Sequence, residues 1–212
     1  MPFGLSGTKF SPVRSRKRQI VDAAADLISA RGYAETSIDD VIGESGLSGK
    51  SHFYHYFKSK EELGVEVLER EAELFAERGL AILREPMIAP LDRLALFIDT
   101  LVATQLDRHG RGVAFGNLAS KMAHANEEFR KRIESVFDRW ARQIRSLLRE
   151  AHDELREGVD AARLARFVIA TLEGALLMSR VTRDRAALLG IATDLKRFVS
   201  AHRREVGDGS VR

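Results

Sequence analysis

The chain has 212 residues, with 34 Lys/Arg against 31 Asp/Glu, four Pro and no Cys. That length suffices for one large or two small domains with a real core, and the lack of cysteine excludes disulfides, thiolate metal sites and cysteine nucleophiles. No apolar run approaches the ~18 residues of a membrane span, and residues 1–12 lack the apolar stretch of a signal peptide, so a cytoplasmic protein without a membrane partner is expected.

The formal net charge of +3 is unevenly spread. Residues 1–60 hold nine Lys/Arg and six acids, with five of the cations before the first acid, while the remainder balances at 25 against 25. Such asymmetry suits an anionic partner for the N-terminal segment. On charge alone, a solvated basic terminus fits equally well.

Ala, Leu, Arg and scarce Pro predict an all-α fold. Residues 1–14 read as a flexible basic arm. A first helix is expected from Val13 to Ala30, with Ile20, Ala24, Leu27 and Ile28 at helical spacing and Gly32 as its stop. Thr36 and Ser37, with Asp39 and Asp40 three residues on, open a short second helix over 37–44 as a capping box would. Ser45-Gly46-Leu47 makes a turn, and Ser48 stands where it could cap a third helix. Two short helices joined by a tight glycine-containing turn form a helix-turn-helix. Ser59-Lys60-Glu61-Glu62 opens a fourth helix expected to run to Arg84, before Pro86 and Pro90 break the pattern.

The rest reads as a helical bundle. Pro90 starts a fifth helix carrying Leu94, Phe97, Ile98 and Leu101, ending near His109-Gly110. A loop over 111–116 precedes a short helix, Asn117–Ala123. Phe129, Ile133, Val136, Phe137, Trp140, Ile144, Leu147 and Leu148 stripe a long helix over 126–156, ended by Gly158. Helices over 160–181 and 184–203 follow, and no strand or repeat is expected. The divisions expected are an arm (1–14), a helix-turn-helix domain (15–62), a larger helical domain (63–205) and a flexible tail (206–212).

The helix over 160–181 is apolar almost all round, so something must cover it all round. Ala170 and Gly174, four apart, would admit another helix closely. A homodimer is therefore expected, built from Ala170, Gly174, Leu177, Leu188, Ile191, Leu195 and Phe198. The competing reading is the central helix of a monomeric bundle.

The segment from Ser48 to Phe57 mixes small polar groups, a Lys and two His with four aromatics, and has no carboxylate. A helix pressed against a polyanion uses both the donors and the rings. On a helix here, Lys50, Ser51, His52 and His55 face outward, while Phe53 and Phe57, four apart, face the core. The hydroxyls of Tyr54 and Tyr56 can reach phosphates, as can the N–H groups near Thr36 and Ser48. Lys60 and the Arg14–Arg18 cluster, which includes Arg16 and Lys17, supply charge toward the DNA backbone.

Three further constellations are weaker. Gly43 leaves five residues between itself and Gly49 before Lys50-Ser51, where a P-loop needs four. His52 and His55 have no third ligand nearby, so no metal and no cofactor is expected. No Ser/His/Asp arrangement has the surroundings of a hydrolase site, so no catalytic residue is assigned.

The run Thr36-Ser37-Ile38-Asp39-Asp40-Val41-Ile42, then Gly46-Leu47-Ser48, then Phe53-Tyr54-His55-Tyr56-Phe57-Lys58-Ser59-Lys60-Glu61-Glu62-Leu63 resembles the DNA-binding domain of tetracycline-repressor (TetR) family regulators. One residue more than that family's usual pattern stands between Leu47-Ser48 and Phe53. The resemblance implies a dimeric repressor released from a palindromic operator on double-stranded DNA by a small molecule. By position, it implies that Lys50, Ser51 and His55 face bases while Thr36, Ser48, Tyr54, Tyr56 and Lys60 hold phosphates. A transcriptional activator or a non-specific DNA binder are the alternatives. For a largely apolar effector, the larger domain offers Phe97, Leu101, Phe115, Asn117, Met122, Phe137, Trp140, Thr171 and Met178, with the Trp140 indole foremost.

Overall fold

The computed structural model describes residues 15–75, 79–107, 115–124 and 127–204. Among these it forms nine α-helices: α1 (Arg16–Arg31), α2 (Ile38–Ser45), α3 (Lys50–Tyr56), α4 (Lys60–Phe75), α5 (Pro90–Asp107), α6 (Phe115–Ala123), α7 (Glu127–Glu150), α8 (Ala161–Thr182) and α9 (Arg185–Ser200). No strand forms among the described residues, and a single isolated bridge joins Leu155 to Arg203. The predicted arm over 1–14 and the segment 206–212 lie outside the described residues, as does most of the predicted 111–116 loop.

The first three helices fold around Phe53 and Phe57, which are buried together with their rings 5.6 Å apart. Ile20, Ala24 and Ile28 from α1 and Val41 from α2 join them. Burying each large side chain contributes about 1.5–3 kcal/mol, so these few residues suffice to fix the angles between short helices. Leu63 and Val67 on α4 belong to the same continuous core, which runs on through Leu94, Phe97 and Ile98 of α5 and the apolar stripe of α7.

Three predicted boundaries move. The fourth helix is described only to Phe75; a tight turn at Ile82–Arg84 stands where its end was expected. Just before that turn, a Cβ on Gly79 would lie 2.7 Å from the Phe97 ring, so the chain passes α5 where only a hydrogen fits. The sixth helix begins at Phe115 rather than Asn117. The long helix α7 stops at Glu150 and tightens into a 3-10 turn over Ala151–Asp153 instead of reaching residue 156. There the backbone turns to another partner: the Arg156 N–H donates to the His202 carbonyl (2.9 Å), and that of Arg204 to Glu154 (2.7 Å).

Arg93 of α5 is buried, donating to the Leu83 carbonyl (3.0 Å) and pairing with Glu150 of α7. It ties three elements together from inside the core. Nothing in the periodicity of α5 marks it out from a surface arginine.

Candidate nucleic-acid interface

The second helix is held by the capping box expected of it. The Asp40 N–H donates to Ser37 Oγ (3.1 Å), and the Ser37 N–H returns the bond to Asp40 Oδ2 (2.8 Å). Those bonds from Ser37, then the nearby Arg31 guanidinium at 3.2 Å, hold the Asp40 carboxyl below its usual pKa. Thr36 does not share in the cap. It is 2% exposed and donates to the Gly32 carbonyl at 2.8 Å, so its hydroxyl is turned inward, away from any phosphate.

The turn between α2 and α3 uses glycine at both ends. Gly46 adopts φ 64, ψ 36 and closes α2, with its N–H on the Ile42 and Gly43 carbonyls. Gly49 adopts φ 149, ψ −176 as the residue before α3. Both lie where side chains are strained, so the turn depends on glycine at these two positions. Ser48 was expected to cap α3 and does not. No side chain caps this helix, and Ser48 Oγ instead lies 3.2 Å from His52 Nδ1. The physical reason is register: with Gly49 at the cap position, Ser48 falls one residue too early to reach the first N–H groups.

The outward side of α3 gathers Lys50, Ser51, Tyr54 and His55, all exposed. Tyr54 is half exposed although its ring edge rests on Phe53 (5.4 Å). Tyr56 is half-buried between two histidines, its ring centroid 5.0 Å from His55 and 5.7 Å from His52. Lys50 Nζ lies 3.1 Å from Asp39 Oδ2 of α2, a carboxylate expected to serve the capping box, which Asp40 alone closes.

The other predicted cations are set around this face and are engaged within the protein. Arg16 donates to the Gly46 carbonyl (2.5 Å) and so buttresses the turn. Lys17 pairs with Glu66 of α4 (2.8 Å) and lies over the Phe57 ring at 5.5 Å. Lys60 donates to the Ala34 carbonyl (3.1 Å) and stands 4.6 Å over the Tyr33 ring. His52 and His55 gain no third ligand: the described residues contain no group of three His, Cys, Asp or Glu placed to hold a metal.

In the larger part of the chain the aromatic candidates do converge. Phe115 of α6 meets Trp140 (4.9 Å) and Phe137 (5.4 Å) of α7, edge to face. Phe97, Leu101, Phe115, Met122 and Trp140 are buried, and Phe137 and Thr171 of α8 are half-buried. Met178 is 54% exposed on the outer side of α8, so it lines no interior pocket. The side chain of Asn117 lies outside the described residues.

Of the residues expected at a dimer face, Ala170, Leu177 and Phe198 are exposed, and a Cβ at Gly174 would meet nothing within 4 Å. Ile191 is half-buried against the core. Leu188 and Leu195, each 3% exposed, point into the protomer instead. Alternate faces of α9 explain this: one is used up against α5 and α8, the other carries Leu189 and Phe198 outward. Phe167 and Val181 of α8, which were not among the residues expected at the dimer face, extend that outer face.

A helix-turn-helix mounted on a larger all-α bundle defines a DNA-binding transcriptional regulator. Residues 20–67 match the family described as bacterial regulatory proteins, tetR family, and residues 90–194 match the C-terminal domain of LmrA/YxaF-like transcriptional regulators. The transcriptional regulator AcuR of Cereibacter sphaeroides is 30% identical over 169 residues, covering 77% of this chain and 76% of that protein. The transcriptional repressor DhaR of a Mycobacterium species is 26% identical over 183 residues, covering 84% and 87%. A TetR transcriptional regulator of Chloroflexus aurantiacus superposes with a TM-score of 0.78 at 30% identity, covering 89% of this chain and 96% of that one. The chain belongs to the TetR family of transcriptional regulators. No helix among the described residues is long and apolar enough to cross a membrane.

Proposed function

We propose that this regulator works as a homodimeric repressor on a palindromic operator and is released by a small, largely apolar effector. In this reading residues 15–62 read DNA and residues 63–205 bind the effector and dimerise. The observation that carries it is the outer side of α3. Lys50, Ser51, Tyr54 and His55 are exposed there on a helix pinned from behind by Phe53 and Phe57. A helix of this width enters the major groove, and its N-terminal residues meet base edges. Lys50, Ser51 and His55 would then read bases, with Ser48, His52, Tyr54 and Tyr56 toward the backbone. Arg16, Lys17 and Lys60 would lend charge once their internal partners yield to phosphate.

The outer faces of α8 and α9, with Phe167, Ala170, Gly174, Leu177, Leu189 and Phe198, would join two copies so that the α3 helices stand roughly 34–36 Å apart. The ring cluster of Phe115, Phe137 and Trp140 is the anchor we favour for the effector, with Phe97, Leu101 and Met122 behind it. The effector must prefer the released state to shift the balance. Selecting DNA from a random pool with the purified chain tests the reading. It predicts a two-fold symmetric consensus with half-sites one helical turn apart, and an unsymmetric or absent consensus overturns it. Transcription of a reporter carrying that site then separates repression from activation.

A further inference from the structure

Nine of the described arginines pair with a carboxylate within 4 Å (Arg18, Arg31, Arg70, Arg93, Arg130, Arg132, Arg139, Arg197 and Arg203), and Arg16 donates to the Gly46 carbonyl instead. Others, Arg149, Arg183 and Arg185 among them, have no such ion pair and lie apart, whereas Arg142, Arg145 and Arg166 converge. They line one cavity of about 220 Å³ between α7 and the start of α8, with Ala141, Ala162 and the single carboxylate of Asp138. Among the described residues none of the three takes a hydrogen bond or ion pair, not even Arg142 with Asp138 one helical turn before it. Three guanidinium groups around one hollow repel each other, and a helix that merely needed solubility would scatter them or pair them.

We propose that this cavity is a binding site for a small multiply charged oxyanion, a phosphate group or its like. Planar guanidinium forks match tetrahedral oxyanions, and α8 begins beside the cavity, so its positive end adds to the field. Asp160, the N-cap of α8, already responds to that field: its pKa is lowered by the backbone N–H groups of Arg163 and Ala162 and further by the charges of Arg163 and Arg166. At about 220 Å³ the hollow is smaller than a drug-sized pocket and suits a headgroup or a free ion. It is also no part of the DNA face. Arg142 and Arg145 follow Phe129, the residue by which α7 touches the N-terminal domain, by 13 and 16 positions, which is roughly 20–24 Å along the helix.

Titration calorimetry of the full chain with inorganic pyrophosphate, at ionic strength held constant with sodium chloride, tests the site. Saturable binding is expected, weakened about tenfold by Arg145→Gln and again by Arg166→Gln, with Arg145→Lys intermediate. Heats that follow ionic strength alone, or that survive the double Gln variant, overturn the proposal. A parallel titration with a simple phosphomonoester distinguishes a free ion from a headgroup, the tighter of the two naming the source. Sedimentation provides the remaining control: if Arg166→Gln dissociates a dimer while pyrophosphate binding is absent, the arginines serve a partner's carboxylates and the anion site is refuted. Circular dichroism of each variant should match the parent, since Arg166 is exposed and Arg145 only half-buried.

Discussion

The Tyr33 ring, which follows α1 in the DNA-binding domain, meets the Phe129 ring at the start of α7 edge to face, with centroids 5.2 Å apart. Gly64 of α4 lies between them. A Cβ there would stand 2.9 Å from Phe129 Cζ, 2.9 Å from Met122 Cε and 3.0 Å from Tyr33 Cε2. The two parts of the molecule therefore touch directly, and α4 can lie against that contact only because residue 64 has no side chain. Gly64→Ala should gain the better helix propensity of Ala, about 0.5–1 kcal/mol, and lose about 1–3 kcal/mol to overpacking. The expected result is a net loss of about 1 kcal/mol in urea unfolding, together with weaker operator binding as the contact is wedged open. An unchanged midpoint would show that the junction yields more freely than its distances indicate.

Tyr33 also gives the junction a pH signature. Its hydroxyl is buried without a hydrogen-bond partner, and burial, then the nearby charge of Glu61, pushes its pKa from 10.0 to about 12. The folded state thus favours the neutral phenol. Below pH 10 both states are protonated and stability is unaffected. As pH rises from 10 to 12 the unfolded chain ionises first, and stability declines. Tyr33→Phe should remove that alkaline decline in thermal unfolding. Near neutral pH it should be neutral or stabilising by up to about 1 kcal/mol, because the lost hydroxyl bonds nothing.

Much of this was legible in the chain, for reasons that differ by element. Ser37 and Asp40 announce α2 because a capping box is wholly local, and Phe53 with Phe57 announce the inner side of α3 because helical spacing is local too. Contacts between elements were not. Nothing near Lys50 in sequence names Asp39 as its partner, and Thr36 looks like a surface cap until the Gly32 carbonyl is brought beneath it. On α9 the stripe of Leu188 and Leu195 is a true apolar stripe, but periodicity cannot say whether a stripe faces its own core or another copy. Here the exposed set, Leu189 and Phe198, is the sparser one. Gly46 and Gly49 did announce a turn, while the torsion angles that put Ser48 out of capping reach needed the structure.

The pair of Lys50 with Asp39 sets a third expectation. Both side chains are more than 60% exposed, so the pair itself adds little stability and exchanges readily for a DNA partner. Asp39 then acts as a counter-charge that any DNA must displace. Asp39→Asn should raise affinity for random DNA about threefold to tenfold at low salt, with a steeper salt dependence, and should narrow the margin between operator and random sequence. Lys50→Ala should weaken operator binding and relax preference at one base position. Titrations of both DNAs with each variant at several salt concentrations give the answer, and equal affinities for wild-type and Asp39→Asn chains would remove Asp39 from the reading mechanism.

The two sides of α9 and the outer side of α8 predict opposite failures. Val181 is 74% exposed and Leu177 44%, so placing Asp at either position should leave the protomer folded and disrupt only an association of copies. Leu195 is 3% exposed, and Leu195→Ala should cost about 2–5 kcal/mol in the unfolding of each protomer. Sedimentation and urea unfolding of the two variants together separate the cases. The Leu177→Asp chain should sediment as a folded monomer and lose its grip on a two-half-site operator. The Leu195→Ala chain should remain associated wherever it remains folded, with its unfolding midpoint lowered. If Leu177→Asp leaves the mass in solution unchanged, the face formed by Phe167, Ala170, Leu177 and Phe198 is not where two copies meet.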